Sequence, residues 1–383
     1  MLEFLLWGSC FCVLYTYGGY PIITLLLSML RNNKVKIGDY EPFVSIIISA
    51  YNEEKDIEEK IKNTQSLDYP KNKLEIIIAS DGSTDRTEDI VKQFAVNNVG
   101  ASVILRRVEG RLGKTAAQNS AVRIARGEVV VFSDAASLYD RGAIRALVRN
   151  YADPTVGAVS GRYSYLNKKG ASVGFATILF WNLENFIKSR QTRIKTVTGC
   201  CGCIYSVRKD LYTELPPTII SDLVEPLTIL KKGYRIVFEP NAQALEETTE
   251  KPKDEFMMRV RVIVRGMNGL LYMRALLNPF QYPFVAFQLL SHKVLRWLVP
   301  VFCIIIFLTS LLLAATSVVY MSLFILQCLF YLLAFAGFIL EKRGFRWKAL
   351  YLPMYFTIVN AASLVSLFKV FKGENIVVWQ TQR

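Results

Sequence analysis

The amino-acid sequence predicts a doubly wound, mostly parallel α/β sheet with membrane helices at both ends of the chain. Of its 383 residues, 52% are hydrophobic and 20% are charged, so the apolar residues must be concentrated in separate segments. No charged residue occurs from 4 to 30 or from 297 to 340. Between 44 and 150, short apolar runs alternate with amphipathic stretches, which is typical of buried parallel strands connected by helices.

The first half of the soluble region contains the strands of this predicted sheet. Apolar runs rich in β-branched residues predict strands at 44–50, 74–79, 102–105 and 129–132. The amphipathic stretches predict helices at 56–67, 84–96 and 115–125. From 151 to 277 the composition stays soluble without this strict alternation.

Apolar segments outside the sheet region predict membrane helices. The segment 4–30 is long enough for one crossing, which needs about 20 apolar residues, and it lacks the basic start of a signal peptide. The segment 297–340 is long enough for two crossings with a turn near 316–322, and 349–368 for one more. The aromatic and proline-containing stretch 278–292 is predicted to be interfacial. The predicted domains are an anchor at 1–36, a soluble domain at 37–277 and a membrane region at 278–383.

Much of the net charge of +14 lies beside the apolar segments. Arg31, Lys34 and Lys36 follow the first segment, and residues 341–348 form a basic connection before the last one. Because basic residues favour the cytoplasmic side, the soluble domain is predicted to face the cytoplasm at the cell membrane. Basic runs with interleaved aromatic residues do not stand out, so lipid is a better partner for this charge than nucleic acid.

The path of the last apolar segment is open between two interpretations. A full crossing would place Lys369, Lys372 and Arg383 outside the cell, against the charge rule. Pro353 and Asn360 permit a re-entrant or interfacial path instead. The sequence is therefore compatible with three or four crossings.

Polar residues follow the predicted strands, where a parallel sheet binds its ligands. These groups lie at 49–53, 80–85, 113–114 and 133–137. Each alone is compatible with an ordinary turn or helix cap, but four groups at one sheet edge indicate a nucleotide-diphosphate site. Asp81 is suited to accept a hydrogen bond from a base, Lys114 to neutralise a phosphate, and Asp134 to hold a divalent cation, Mg or Mn. A P-loop is excluded, because Val108 stands where its first glycine is required.

These motifs, in this order, resemble the family 2 glycosyltransferases. They are VSIIISAYNEE, IIIASDGSTDRT, GKTAAQNSA and VVVFSDAAS, followed by TGCCGCIYSVRKDLY and IISDLVEPLTILKKGYRIVFEP. The resemblance covers about 44–266, and the apolar segments resemble the membrane-integrated branch with cellulose, hyaluronan and poly-N-acetylglucosamine synthases. It implies a GT-A fold and inverting transfer from a nucleotide-sugar, of the UDP type, to a lipid-linked or polysaccharide acceptor.

The resemblance also implies a role for each matching residue on the donor side. Asp134 matches the first aspartate of the DxD motif and would hold the metal ion. Lys114 would contact the diphosphate or ribose. The residues that would hold the nucleoside are Tyr51, Glu53 and Asp81.

On the acceptor side, the resemblance identifies Asp222 as the general base that takes the proton of the attacking hydroxyl. Small side chains from Gly199 to Cys203 would leave room for the acceptor, and the three cysteines there are expected to pack rather than bind zinc, since their spacing is wrong for a zinc site. Arg261 and Arg265 would clamp acceptor or phosphate, although a basic helical face near lipid would explain them equally well.

Two departures from the family pattern matter. Ala136 replaces the second DxD aspartate, which removes one metal or sugar contact. Val262 and Gly266 replace the glutamine and tryptophan of the QxxRW motif, so no aromatic platform for a growing polymer is expected and products of one or a few sugars are predicted. The alternatives are a processive synthase that exports its polymer and, in another class, an inactive scaffold or binding subunit. The oligomeric state is not predicted.

Overall fold

The computed structural model describes residues 1–97, 100–167, 172–248, 251–345 and 347–376, which form an eight-stranded sheet with helices on both faces. Arg383 lies outside these residues. The strands are β1 (Val44–Ala50), β2 (Leu74–Ser80), β3 (Ser102–Arg107), β4 (Val129–Asp134), β5 (Leu138–Tyr139), β6 (Val156–Leu166), β7 (Ile204–Arg208) and β8 (Arg235–Glu247). The helices are α1 (Leu2–Leu30), α2 (Ile57–Gln65), α3 (Thr87–Asn97), α4 (Lys114–Ile124), α5 (Ala143–Val148), α6 (Ser172–Ile194), α7 (Ser221–Lys231), α8 (Pro252–Tyr272), α9 (Pro283–Leu313), α10 (Val318–Lys342) and α11 (Tyr351–Phe371).

The sheet has the strand order β3-β2-β1-β4-β7-β6-β8-β5. β3, β2, β1 and β4 are parallel to one another, which confirms the predicted parallel half and its four strands. The second half is mixed: β7 is antiparallel to β4 and β6, β6 and β8 are parallel, and β5 is antiparallel to β8. Four of the seven pairings are therefore parallel.

The central strands are apolar because both faces of the sheet are covered. Ile46 and Ile48 of β1 belong to one hydrophobic core, and Ile47 between them belongs to the core on the opposite face. Ile61 of α2 packs in the first core and Ala121 of α4 in the second. Because successive residues of a strand point to opposite faces, such a strand must be apolar without interruption.

Among the described residues, four helices are long and apolar enough to cross a membrane, as the sequence predicts. They are α1, α9, α10 and the segment Lys348–Phe371 that contains α11. Helix α9 begins at Pro283, so most of the predicted interfacial stretch 278–292 is the first part of a long helix. Within that part, a π-helical turn spans Leu290–Val294, and Gln288 donates a hydrogen bond to the carbonyl of Thr196 in the soluble domain, at 2.9 Å.

Helix α11 lies beside α8 of the soluble domain over its whole length. Near its start, the hydroxyl of Tyr355 accepts a hydrogen bond from the guanidinium of Arg259 at 2.6 Å. Just past its end, the side-chain amide of Asn268 donates to the carbonyl of Glu374 at 3.2 Å. Both ends of α11 therefore contact one helix of the soluble domain, a geometry that fits a helix lying in the membrane interface.

A buried carboxylate joins the soluble domain to the membrane helices. Glu184 of α6 accepts a hydrogen bond from Arg296 of α9 at 2.5 Å and contacts Nε2 of His292 at 3.1 Å. The His292 ring in turn stacks on Tyr20 of α1, with ring centroids 5.3 Å apart. Burial alone would raise the pKa of Glu184, but Arg296 and His292 outweigh it and hold the pKa well below its usual range. A charged Glu184 thus ties α1, α6 and α9 together.

Glu184→Ala is expected to lower the free energy of unfolding by about 3 kcal/mol or more, because Arg296 would stay buried without its counter-ion. The measurement is thermal or denaturant unfolding of the protein in lipid nanodiscs. Glu214→Ala is the matched control, since Glu214 pairs with Arg123 at the surface and such pairs contribute about 0–1 kcal/mol. Equal losses in the two variants would contradict the assignment.

Candidate active site

The carboxyl ends of β1, β2 and β4 place the predicted donor residues at one edge of the sheet. Ala50 is opposite Ser80 in the β1–β2 pair, and Ser49 is opposite Asp134 in the β1–β4 pair. Tyr51 and Asp81 therefore follow neighbouring strands, on the same edge as Asp134. Since β2 and β4 flank β1 on opposite sides, this edge is the switch point of the sheet, where α/β proteins bind their ligands.

Asp81 is fully buried and holds the loop that closes this edge. Its carboxylate accepts hydrogen bonds from the backbone amide of Leu112 at 2.8 Å and from that of Gly113 at 2.9 and 3.0 Å. Burial is the largest influence on Asp81 and raises its pKa, although the two amides oppose it. The sequence predicts that Asp81 accepts from a base; here its carboxylate already accepts from the backbone of loop 108–113.

Glycine is required at position 82, beneath the same loop. Gly82 has φ +71°, and a Cβ atom built on it would lie 2.5 Å from the carbonyl oxygen of Gly110. A larger residue would push the loop away from Asp81. The DGS turn is thus explained by close backbone approach as well as by its backbone conformation.

Arg111 of this loop contacts Tyr51, which the sequence analysis does not anticipate. The Arg111 guanidinium lies 3.9 Å from the centroid of the Tyr51 ring, a cation–π geometry. The side chain of Glu53 is buried, and its backbone amide donates to the hydroxyl of Thr87 at 2.8 Å. In the sequence, Arg111 is recognisable only as a basic residue two positions before Gly113.

Asp134 and Lys114 form an ion pair in the middle of the edge. The Lys114 ammonium donates to the Asp134 carboxylate and, at 3.4 Å, to the carbonyl of Gly202. Asp134 remains 38% exposed, so it is open to a ligand. Burial alone would lower the pKa of Lys114, but Asp134 and Asp222 outweigh burial and raise it, so the ammonium stays charged.

Asp222 lies in the first turn of α7, against the glycine-rich loop 199–203. A Cβ atom on Gly202 would lie 2.7 Å from Oδ2 of Asp222, so a side chain there would displace the Asp222 carboxylate. The backbone amide of Cys200 donates to the carbonyl of Asp222 at 2.9 Å. Oδ1 of Asp222 is buried and has no hydrogen-bond partner in the described part of the chain. A buried acceptor without a partner indicates a place where a donor group of a ligand would bind.

Gly199 and the three cysteines of this loop pack against the interior of the domain. Cys201 and Cys203 are buried with their sulfur atoms 3.5 Å apart, and both belong to a hydrophobic core. Burial raises the pKa of the Cys200 and Cys203 thiols. A Cβ atom on Gly199 would lie 3.2 Å from Leu223, in close contact. The arrangement is that of packing side chains.

Arg265 of α8 faces the site rather than lipid. Its guanidinium is buried and donates to the Thr115 hydroxyl at 3.3 Å and to the carbonyl of Ile219 at 3.2 Å. Burial lowers the pKa of Arg265, and the negative charge of Asp222 opposes that effect. Burial likewise lowers the pKa of Arg261, with Asp134 opposing it. The lipid-facing explanation for Arg265 is therefore wrong, because its head group is held inside the domain.

An aromatic ring does lie beside Gly266, contrary to the expectation from the missing motif residue. A Cβ atom on Gly266 would lie 3.2 Å from Cζ2 of Trp297, which is on α9. The ring comes from a membrane helix remote in sequence, so the motif alone could not predict it. The premise that this place lacks an aromatic side chain is wrong, whereas the predicted product length stays untested.

The described residues contain no group of three His, Cys, Asp or Glu side chains that could hold a metal ion by themselves. Asp134 is the exposed carboxylate of the edge, and Ala136 supplies no second ligand. A single carboxylate ligand does not make a permanent metal site. It fits a cation that keeps several waters and is also bound by the phosphates of a substrate, as Mg²⁺ commonly is.

The sheet order and the switch point at the ends of β1 and β4 are those of a GT-A type α/β fold. A mannosyltransferase from Pyrobaculum calidifontis, solved in complex with GDP-mannose and Mn²⁺, has this fold: the TM-score is 0.71 at 21% identity, over 98% of this chain and 100% of that one. Residues 45–215 match the family described as Glycosyl transferase family 2. This segment of the chain therefore resembles the family 2 glycosyltransferases, which indicates an enzyme of that class.

Curated relatives share the same domain. Poly-beta-1,6-N-acetyl-D-glucosamine synthase of Staphylococcus aureus (strain COL) is 28% identical over 277 residues, which are 70% of this chain and 66% of that protein. The probable glycosyltransferase YdaM of Bacillus subtilis (strain 168) is 29% identical over 230 residues, 57% of this chain and 54% of that protein. The chain thus spans about two thirds or less of these relatives' lengths.

Proposed function

We propose that this chain is a membrane-bound inverting glycosyltransferase that moves a sugar from a nucleotide-sugar, of the UDP type, to a lipid-linked or polysaccharide acceptor. The observation that carries the proposal is the unpartnered, buried Oδ1 of Asp222, close to the charged Lys114–Asp134 pair. A hydrogen-bond acceptor and an anion-binding group therefore lie close together at the sheet edge.

On the donor side, the nucleoside would lie against Tyr51 with Arg111, above the loop fastened by Asp81. Lys114 would turn its ammonium from Asp134 toward the diphosphate, which is a stronger anion. Asp134 would then be free to hold a divalent cation that arrives with the donor, as the exposed carboxylate and the bound Mn²⁺ of the mannosyltransferase suggest. Such a cation, when bound, stabilises the charge that develops on the diphosphate leaving group.

On the acceptor side, Asp222 would accept the proton of the acceptor hydroxyl as its oxygen attacks the anomeric carbon. The bond to the diphosphate breaks as the new glycosidic bond forms on the opposite face of the sugar, so the configuration inverts. Gly202 leaves the carboxylate of Asp222 its place beside the loop, and Arg265 keeps positive charge nearby.

The membrane arrangement that fits these contacts has three crossings. α1, α9 and α10 would cross, and α11 would lie in the interface because both of its ends contact α8. Lys369 and Lys372 would then stay on the cytoplasmic side together with the basic connection 341–348, which removes the charge conflict. The catalytic domain would face the cytoplasm.

A processive polysaccharide synthase is the second candidate, favoured by Trp297 and by the poly-N-acetylglucosamine synthase relative. Aromatic rings bind the apolar faces of sugars, so a ring near the acceptor would help to retain a growing product. Part of the Trp297 ring, the edge at Cζ2 and Cη2, is already covered by Gly266. We therefore keep transfer of one or a few sugars as the first candidate.

Asp222→Asn is expected to reduce kcat by about 10²–10⁴-fold, because an amide cannot take the hydroxyl proton. Donor binding should change little, since the substitution is nearly isosteric. Nucleotide release and product formation are measured with a panel of nucleotide-sugars on protein in lipid nanodiscs. Asp210→Asn, an exposed carboxylate beyond β7, is the control. A wild-type rate in Asp222→Asn would remove this residue from the mechanism.

Asp134→Ala is expected to weaken donor binding and turnover together, and excess EDTA should do the same to the wild type. Both treatments remove the divalent cation from the diphosphate. Donor affinity and initial rates are compared with those of Asp140→Ala, an exposed aspartate nearby. Full activity in EDTA would show that Lys114 and the arginines alone neutralise the diphosphate.

Product mass separates the two candidate functions. At a low ratio of enzyme to a defined lipid-linked acceptor, we expect products with one or a few added sugars. A ladder that reaches long polymer would instead establish the processive synthase. In that event Trp297→Ala should shorten the ladder, whereas Trp347→Ala, which is 63% exposed, should not.

A further inference from the structure

Two lysine ammonium groups lie at the junction of the catalytic domain and α9 without an anionic partner. Lys188 is on α6 and is 7% exposed, and Lys293 is in the π-helical turn of α9. Neither ammonium group forms a hydrogen bond or ion pair with any described residue; Lys188 has a distant cation–π contact, with its Nζ 5.8 Å from the centroid of the Trp181 ring. Neither Nζ atom is fully buried, and Lys293 as a whole is half-buried.

The nearby carboxylates already have other partners. Glu184, one turn before Lys188, is bound by Arg296 and His292. Glu184 acts most strongly on Lys293 and Asp222 more weakly, both from beyond hydrogen-bond distance, and Asp222 shares its charge with Lys114 and Arg265. The junction therefore has more positive than negative charge. Holding unpaired ammonium groups away from water costs free energy, which an anionic ligand would offset.

The position of the two lysines indicates where this anion comes from. Lys293 lies four residues before Trp297, where the uncharged part of α9 begins. It is therefore at the membrane surface, on the acceptor side of the site, where Asp222 acts on it. The donor diphosphate has its own cation, Lys114, at the sheet edge. An anion at the depth of lipid head groups, next to an acceptor site, fits the phosphate of a lipid.

We infer that Lys188 and Lys293 form a phosphate-binding subsite for a lipid-linked acceptor. The inference rests on the proposed function and names its acceptor class: a sugar or hydroxyl carried on an isoprenoid-type lipid phosphate. The phosphate lies between the two ammonium groups, the lipid chain extends along α9 into the membrane, and the acceptor group reaches toward Asp222. An acceptor held this way needs no aromatic platform to stay bound.

Binding of farnesyl phosphate to the protein in phosphatidylcholine nanodiscs tests the subsite without donor or reaction. The wild type should bind farnesyl phosphate at least tenfold more tightly than farnesol. Lys188→Gln and Lys293→Gln should each weaken farnesyl phosphate binding by roughly 10- to 100-fold, as expected for loss of a charge-assisted hydrogen bond. Lys188→Arg and Lys293→Arg keep the charge and should bind, and Lys62→Gln, an exposed lysine on α2, should match the wild type.

Several results would overturn the subsite. The first is unchanged binding of farnesyl phosphate by both Lys188→Gln and Lys293→Gln, provided that both variants unfold at the same temperature as the wild type. Equal binding of inorganic phosphate would indicate a free-phosphate site, and displacement by phosphatidylglycerol would assign the lysines to bulk lipid. Loss of UDP binding in the same variants would assign them to the donor. Failure of the proposed function looks different: the wild type would transfer no sugar from any nucleotide-sugar, while farnesyl phosphate binding would be unaffected.

Discussion

The contact between Glu184 and the first turns of α9 fixes the catalytic domain to the membrane, and much of the site depends on it. It determines how α9 lies on the domain, and α9 brings Trp297 against Gly266. It also determines where Lys293 lies. The Glu184–Arg296 pair tolerates little displacement, because both groups are buried and leaving either one unpaired would cost free energy. The proposed acceptor side is therefore built jointly by the sheet domain and by α9.

The donor side depends on short backbone contacts within one half of the sheet. Asp81 binds the amides of loop 108–113, and Gly82 lets that loop approach closely. These contacts lie entirely within the chain, so the loop over the proposed donor site is held by the backbone. The two sides meet at Gly202, whose carbonyl contacts Lys114 and whose missing side chain leaves space for Asp222.

The sequence predicts the parallel half of the fold well because its signals are local. β1 has the predicted limits, and the strand-end positions of Asp81 and Asp134 follow from strand order alone. The contacts of Arg111 and Trp297 depend on how a loop and a membrane helix pack, which no local pattern specifies. The same holds for α11, since hydropathy gives its length but not the helix that it contacts. The mixed half of the sheet was missed because its strands are not separated by the regular amphipathic helices that mark the parallel half.

The ion pair between Lys114 and Asp134 has a consequence for how a donor approaches the empty enzyme. A bare aspartate at the sheet edge would repel a diphosphate at short range, whereas a carboxylate covered by an ammonium presents little net field. The chain's overall excess of positive charge can then draw the anion inward unopposed. In the proposed reaction, the pair would hide the charge of Asp134 during the encounter and would be separated by the incoming diphosphate itself.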